Sequence, residues 1–144
     1  TSLELKNKCV QLINDDAEAF IPLSKAYGLP ANTDEEKQHK NNVIQGNLKS
    51  AVAIPLDCIK TACEILSMLD ELTDKGSVLV LSDVGVGAVC ANAAIKSAWL
   101  TVLININIMA DYEYVKKIRT DMQELIDQAN EICNKIYGKV EERL

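Results

Sequence analysis

The stretch SVLVLSDVGVGAVCANAAIKSAWLTVLININIMA, Ser77–Ala110, decides the fold of this 144-residue chain. Two readings compete for it. In one, Val78-Leu79-Val80-Leu81 and Thr101–Ile106 are strands joined through Gly85-Val86-Gly87 and a helix, a β-α-β unit that holds a nucleotide. The third glycine of that fingerprint is replaced by Cys90, and no further strands complete a sheet. In the other reading the whole stretch is a central helix, because only Asp83 and Lys96 are charged. A helix so poor in charge is normally buried on most sides. The pattern favours an all-α bundle. A membrane span fits less well, since Ser82, Asp83, Asn92, Lys96, Asn105 and Asn107 interrupt every long apolar window.

Working outward, the flanks are helical too. Residues 3–27 place Leu5, Cys9, Leu12, Ile13, Phe20 and Leu23 on one side and Glu4, Lys8, Gln11, Asp15, Glu18 and Lys25 on the other. Gly28-Leu29-Pro30 stops that helix. Thr33-Asp34-Glu35-Glu36 is a capping box, so a second helix runs from about Asp34 toward Asp70, bent or broken near Pro55. Asp74-Lys75-Gly76-Ser77 reads as a turn. Beyond Asp111, a suitable N-cap, Val115, Ile118, Met122, Leu125, Ala129, Ile132 and Ile136 recur in steps of three and four. That seam predicts a helix from about Tyr112 to Glu141, roughly 45 Å long, needing a long neighbour in its own chain or in a second subunit. No repeat or domain boundary interrupts residues 1–144, which read as a single helical domain.

Composition narrows the function. A chain of this length buries a real core without staples. The net charge of −6 and the scarcity of aromatics (one Phe, one Trp, four Tyr) argue against nucleic acid, and the charge also against anionic membranes. Five scattered cysteines, with no C-x-x-C pair, suggest neither disulfides nor zinc and fit a reducing, cytoplasmic setting. A single histidine, His39, leaves almost no material for a metal site or a triad. Residues 1–12 mix charged and apolar side chains and do not read as a signal peptide.

Among chemistry-bearing residues Asp16 is the most informative. Its helical neighbours are Leu12, Ile13 and Phe20, so its carboxylate sits within an apolar stripe, where desolvation would raise its pKa and suit it to acid-base work. A buried Asp with a local partner is the bland counterpart. Asp15 faces the polar side. Ser82-Asp83 opens a segment rich in Gly and Ala, where a ligand could approach the backbone, or where small residues simply permit close helix packing. Asn105 and Asn107 end the apolar stretch, as ligand partners or helix terminators. Lys96 snorkels or pairs with an acid. Lys37, His39 and Lys40 form a solvated face, and Cys90 belongs to the core.

Several segments together carry a resemblance. Leu12-Ile-Asn-Asp-Asp-Ala-Glu-Ala-Phe20, Tyr27-Gly-Leu-Pro-Ala-Asn-Thr33, Ala51-Val-Ala-Ile-Pro-Leu56, Gly76-Ser77, Ser82-Asp-Val-Gly-Val-Gly-Ala88 and Val102-Leu-Ile-Asn105 follow one family's order and spacing. The chain resembles the cyclodeaminase domain of formiminotransferase-cyclodeaminase and its stand-alone bacterial relatives, among them methenyltetrahydrofolate cyclohydrolases. The resemblance implies an all-helical fold, dimers or larger assemblies, and chemistry on a one-carbon unit of tetrahydrofolate without metal or other cofactor. Cyclodeaminases close formiminotetrahydrofolate to the methenyl form with loss of ammonia; cyclohydrolases open the methenyl bridge with water. It implies further that Asp16 is the acid-base residue, that Asp83 and Asn105 bind or orient the pterin, and that Ser82 caps the helix holding Asp83. The family begins with a Pro-Gly-Gly-Gly-Ser-type run, and the matching part of this chain starts after it. Where the family often has an acid, this chain has Asn14. The competing expectation is a helical dimerisation or folate-binding module without catalysis.

Overall fold

The computed structural model describes all residues, Thr1–Leu144, and they form four helices with no strand. Helix α1 is Ser2–Tyr27, α2 is Asp34–Lys75, α3 is Leu81–Ile106 after a single 3-10 turn at Val78–Val80, and α4 is Tyr112–Arg143. The absence of strands removes the β-α-β reading. Val78-Leu79-Val80 leads directly into the helix that contains Gly85 and Gly87.

Local chemistry sets the boundaries. Thr33 accepts from the Glu36 N–H while the Glu36 carboxylate accepts from the Thr33 N–H, satisfying two donors that the start of α2 would otherwise leave free. Thr1 and Glu4 form the same reciprocal pair on α1. Asp111 accepts from the Tyr114 N–H at 3.1 Å and opens α4 as expected. Ser82 does not cap α3: it lies inside the helix, whose N-cap position is held by Val80 without a side-chain bond. Nor does Pro55 break α2, which continues for 42 residues, roughly 63 Å. A mid-helix proline costs about 3 kcal/mol. Fully buried Val52, Ile59 and Leu66 on the same helix offset it, each contributing roughly 1.5–3 kcal/mol by leaving water.

Successive helices run antiparallel, with α2 at the centre. The start of α3 packs beside the end of α4: a Cβ on Gly85 would come within 3.2 Å of Val140 Cγ1, and one on Gly87 within 3.3 Å of Leu69 Cδ1 of α2. These glycines therefore serve close helix packing. Helix α4 is tied to α2 along its length, by Lys49 to Asp111 at 2.6 Å, Lys135 to Asp70 at 2.7 Å and Lys139 to Asp74 at 2.7 Å. Gln45 clips the α3–α4 loop to α2, donating to the Ile108 carbonyl and accepting from the Ala110 N–H. Lys40 was expected in a solvated face; its ammonium instead donates to the carbonyls of Tyr27 and Leu29 and closes the α1–α2 turn.

The apolar core joins Leu48, Ile59 and Leu66 of α2 to Ile95 and Val102 of α3 and to the α4 seam, including Met122, Ala129 and Ile136. Helix α3 is not wrapped on most sides. Only 33% of its most apolar stretch is buried, although by length and composition it could cross a membrane. Val86, Val89, Leu100 and Ile104 are exposed, and so is Cys90, which was expected in the core. The reason is topological: α3 has partners in α2 and α4, and four helices leave its outer side uncovered.

Candidate functional site

A cavity of about 430 Å³ opens between α1, α2 and α3. Its floor is one face of α2, where Pro55, Cys58, Thr61, Ala62 and Ile65 follow one another at helical spacing. One wall is Ala91, Ala94, Ala98 and Thr101 of α3; the other is Cys9, Leu12, Ile13 and Asp16 of α1. The cavity exists because α3 presents alanines there: three methyl groups stand where larger side chains would fill the trough. Its size lies within the range of roughly 300–1,000 Å³ common for organic ligands.

Asp16 is the one carboxylate on this lining. It lies exposed, and not shielded as the apolar stripe suggested. The stripe itself is only half covered. Leu12 is buried, but Ile13 is 72% exposed and Phe20 is half exposed, because α2 is the only helix against which α1 packs extensively. Beside Asp16, burial pushes the Cys58 thiol up from its ordinary value, and the nearby charges of Asp16 and Cys9 push it further. The groove thus combines an apolar floor, two thiols and a carboxylate at the rim.

Other expected site residues lie elsewhere. Ser82 and Asp83 are exposed on the first turn of α3 and do not line the cavity. Ala91, the first lining residue of α3, is eight positions beyond Asp83, roughly 12 Å along the helix. Asn105 is buried one turn past Thr101, and its Nδ2 donates to the Thr101 carbonyl at 2.8 Å. It supports the end of the wall without facing the groove. Asn14 is exposed and outside the lining.

Thr61 escaped the sequence reading. It is 1% exposed, borders the cavity, and its Oγ1 has no hydrogen-bond partner. A polar residue in the 55, 58, 61/62, 65 face of α2, opposite the Ala91-Ala94-Ala98 stripe, was the available signal. Only the facing of two distant segments gives that signal a meaning.

Fold and site together define an all-helical domain with a mainly apolar trough between three helices, sized for an organic ligand. Comparison with known proteins then gives the family. A family profile described as formiminotransferase-cyclodeaminase matches residues 1–133. The chain is 34% identical over 140 residues to methenyltetrahydrofolate cyclohydrolase of Methylorubrum extorquens, covering 97% of this chain and 67% of that protein. It is 33% identical over 132 residues to formimidoyltransferase-cyclodeaminase of Rattus norvegicus, covering 92% of this chain and 24% of that one. Among solved structures, formiminotetrahydrofolate cyclodeaminase of Thermotoga maritima superposes with a TM-score of 0.71 at 26% identity, over 98% of this chain and 64% of the other. The chain belongs to the formiminotransferase-cyclodeaminase family, whose relatives named here are enzymes of folate one-carbon chemistry. It spans about two thirds of the bacterial relatives and about a quarter of the rat protein.

Proposed function

We propose that this protein is a folate one-carbon enzyme, acting as a formiminotetrahydrofolate cyclodeaminase or a methenyltetrahydrofolate cyclohydrolase. The observation that carries the reading is Asp16, brought by α1 to the rim of an apolar trough in a chain of this family. Apolar walls accept the faces of a bicyclic heterocycle, and a rim carboxylate can exchange protons with a reacting amine or water. In the hydrolytic direction, water adds to the amidinium carbon of the methenyl bridge, Asp16 takes a proton from it, and one C–N bond breaks as its nitrogen is protonated. In the deaminating direction, an amine of the folate attacks the formimino carbon. With the formimino nitrogen already protonated, Asp16 carries the amine's proton to it, so that it leaves as ammonia and the positive charge stays on the methenyl bridge. Both directions pass through the same proton position, which is why one carboxylate serves either. In this reading Asn105 holds the wall at Thr101, and Ser82 and Asp83 act at a distance from the trough or against parts of a bound folate that extend beyond it.

Methenyltetrahydrofolate absorbance, followed with the wild-type chain and with Asp16→Asn, tests the proposal. Loss of roughly 100-fold or more in the variant is expected, the scale of a general acid-base contribution. Equal turnover would remove Asp16 from its role, and a wild-type chain that binds folate without turnover would support the non-catalytic module.

The same reading takes the chain as a cytoplasmic homo-oligomer. Five free thiols favour a reducing compartment. The uncovered stripe of α3 is self-complementary: Val86 and Ile104, Cys90 and Leu100, Ala93 and Ser97 lie at equal distances on either side of residue 95. Two copies crossing antiparallel about that point would set each large side chain against its counterpart, as a two-fold interface requires.

A further inference from the structure

We propose that Thr61 is a positioning residue whose hydroxyl, at the floor of the trough, hydrogen-bonds a heteroatom on the edge of the bound heterocycle. The proposal rests on the folate reading and deepens it. The chain contains two fully buried threonines, both on α2. Thr73 meets its need locally, donating to the Leu69 carbonyl one turn back at 2.8 Å. Ser67, Ser97, Thr101 and Thr120 make the same one-turn bond. Thr61 does not: its Oγ1 is buried and unpartnered, although the same kind of carbonyl, that of Asp57, stands one turn behind it. Leaving a buried hydroxyl unpaired is unfavourable, and an apolar residue of equal shape would be better for stability alone.

Placement gives the exception a use. Thr61 borders the cavity at the middle of the α2 face, between Cys58 and Ile65, opposite the alanine wall of α3. The hydroxyl and the methyl share one carbon, so rotation about a single bond turns the oxygen toward a ligand. A planar heterocycle standing with its faces against the α1 and α3 walls would turn an edge toward the α2 floor, offering edge nitrogens or a carbonyl, and a hydroxyl can donate to or accept from either. Asp16 at the rim and Thr61 at the floor would then fix the ring at two points. A purely apolar trough would leave it free to slide.

The test compares wild type, Thr61→Val and Thr61→Ser in three measurements: melting temperature without ligand, tetrahydrofolate affinity by equilibrium dialysis, and steady-state kinetics. Thr61→Val is expected to melt at or above wild type, to bind tetrahydrofolate about tenfold more weakly, and to show the loss chiefly in KM. Thr61→Ser is expected to restore affinity. Undiminished binding by Thr61→Val overturns the proposal, as does a Thr61→Val protein that melts well below wild type with its affinity intact, because the hydroxyl is then structural. Failure of the wild-type chain to bind tetrahydrofolate sinks the folate reading itself, a different result from equal binding by both proteins.

Discussion

At the scale of single residues, Asp16 and Cys58 report on each other. Burial is the main reason the Cys58 thiol is pushed up, and the Asp16 charge adds to it. Removing that charge should lower the thiol's pKa, so Asp16→Asn is expected to accelerate alkylation of Cys58 by iodoacetamide several-fold near pH 8. Saturating tetrahydrofolate is expected to slow alkylation at Cys9 and Cys58 and leave the exposed Cys90, outside the trough, unaffected. Peptide mapping by mass spectrometry reads all three sites at once. A Cys58 rate indifferent both to the substitution and to folate would separate the thiol from the carboxylate and the trough from the ligand. Residue-scale chemistry was only partly legible beforehand. That Asp16 interrupts an apolar stripe is visible in the sequence. That the stripe is half exposed depends on how many helices pack against α1.

At the scale of elements, the boundaries follow from neighbours in sequence. The capping box at Thr33 and Glu36, the cap at Asp111 and the stop at Gly28 were all legible, because each is a bond between groups three or four residues apart. Asp111 does more than cap. Its carboxyl is held below the ordinary aspartate value first by the Lys49 ammonium and then by the Tyr114 N–H, so it joins the start of α4 to α2. A carboxyl whose folded pKa is depressed contributes stability above its unfolded pKa and loses it as pH falls through the folded one. Asp111→Ala should therefore lower the melting temperature by a few degrees at neutral pH. That difference should shrink as the pH drops below the aspartate range, which thermal melts from pH 7 to pH 2 would follow. A constant difference across that range would assign the effect to packing alone. At Pro55 the local rule allowed a bend or a break, and the break does not occur: α2 runs on through it, held by the burial of Val52 and Ile59.

At the scale of the whole molecule, the outer face of α3 carries an exposed apolar stripe, where Leu100 is 68% and Ile104 is 70% exposed. A large exposed apolar stripe is a usual mark of an interface. With the two-fold pairing proposed above, Leu100→Asp is expected to convert a dimer into a monomer in sedimentation velocity. Helix content should stay unchanged, since Leu100 lies outside the core. A wild-type chain that sediments as a monomer at tens of micromolar would refute the pairing directly.

The sequence by itself determined the helices, their caps, the apolar seam of α4 and the all-α class, since these depend on hydrogen bonds and periodicities spanning a few residues. It also carried the family, through short motifs in a fixed order. Only the tertiary structure decided which helix faces meet. That choice buried Thr61 without a partner, left Cys90 and half of the α1 stripe in the open, turned Gly85 and Gly87 into contact points for neighbouring helices, and set Asp16 beside Cys58 while Ser82 and Asp83 stayed outside the trough. The physical reason is that burial is settled by neighbours far apart in the chain, and no spacing within a single helix records how many of them there are.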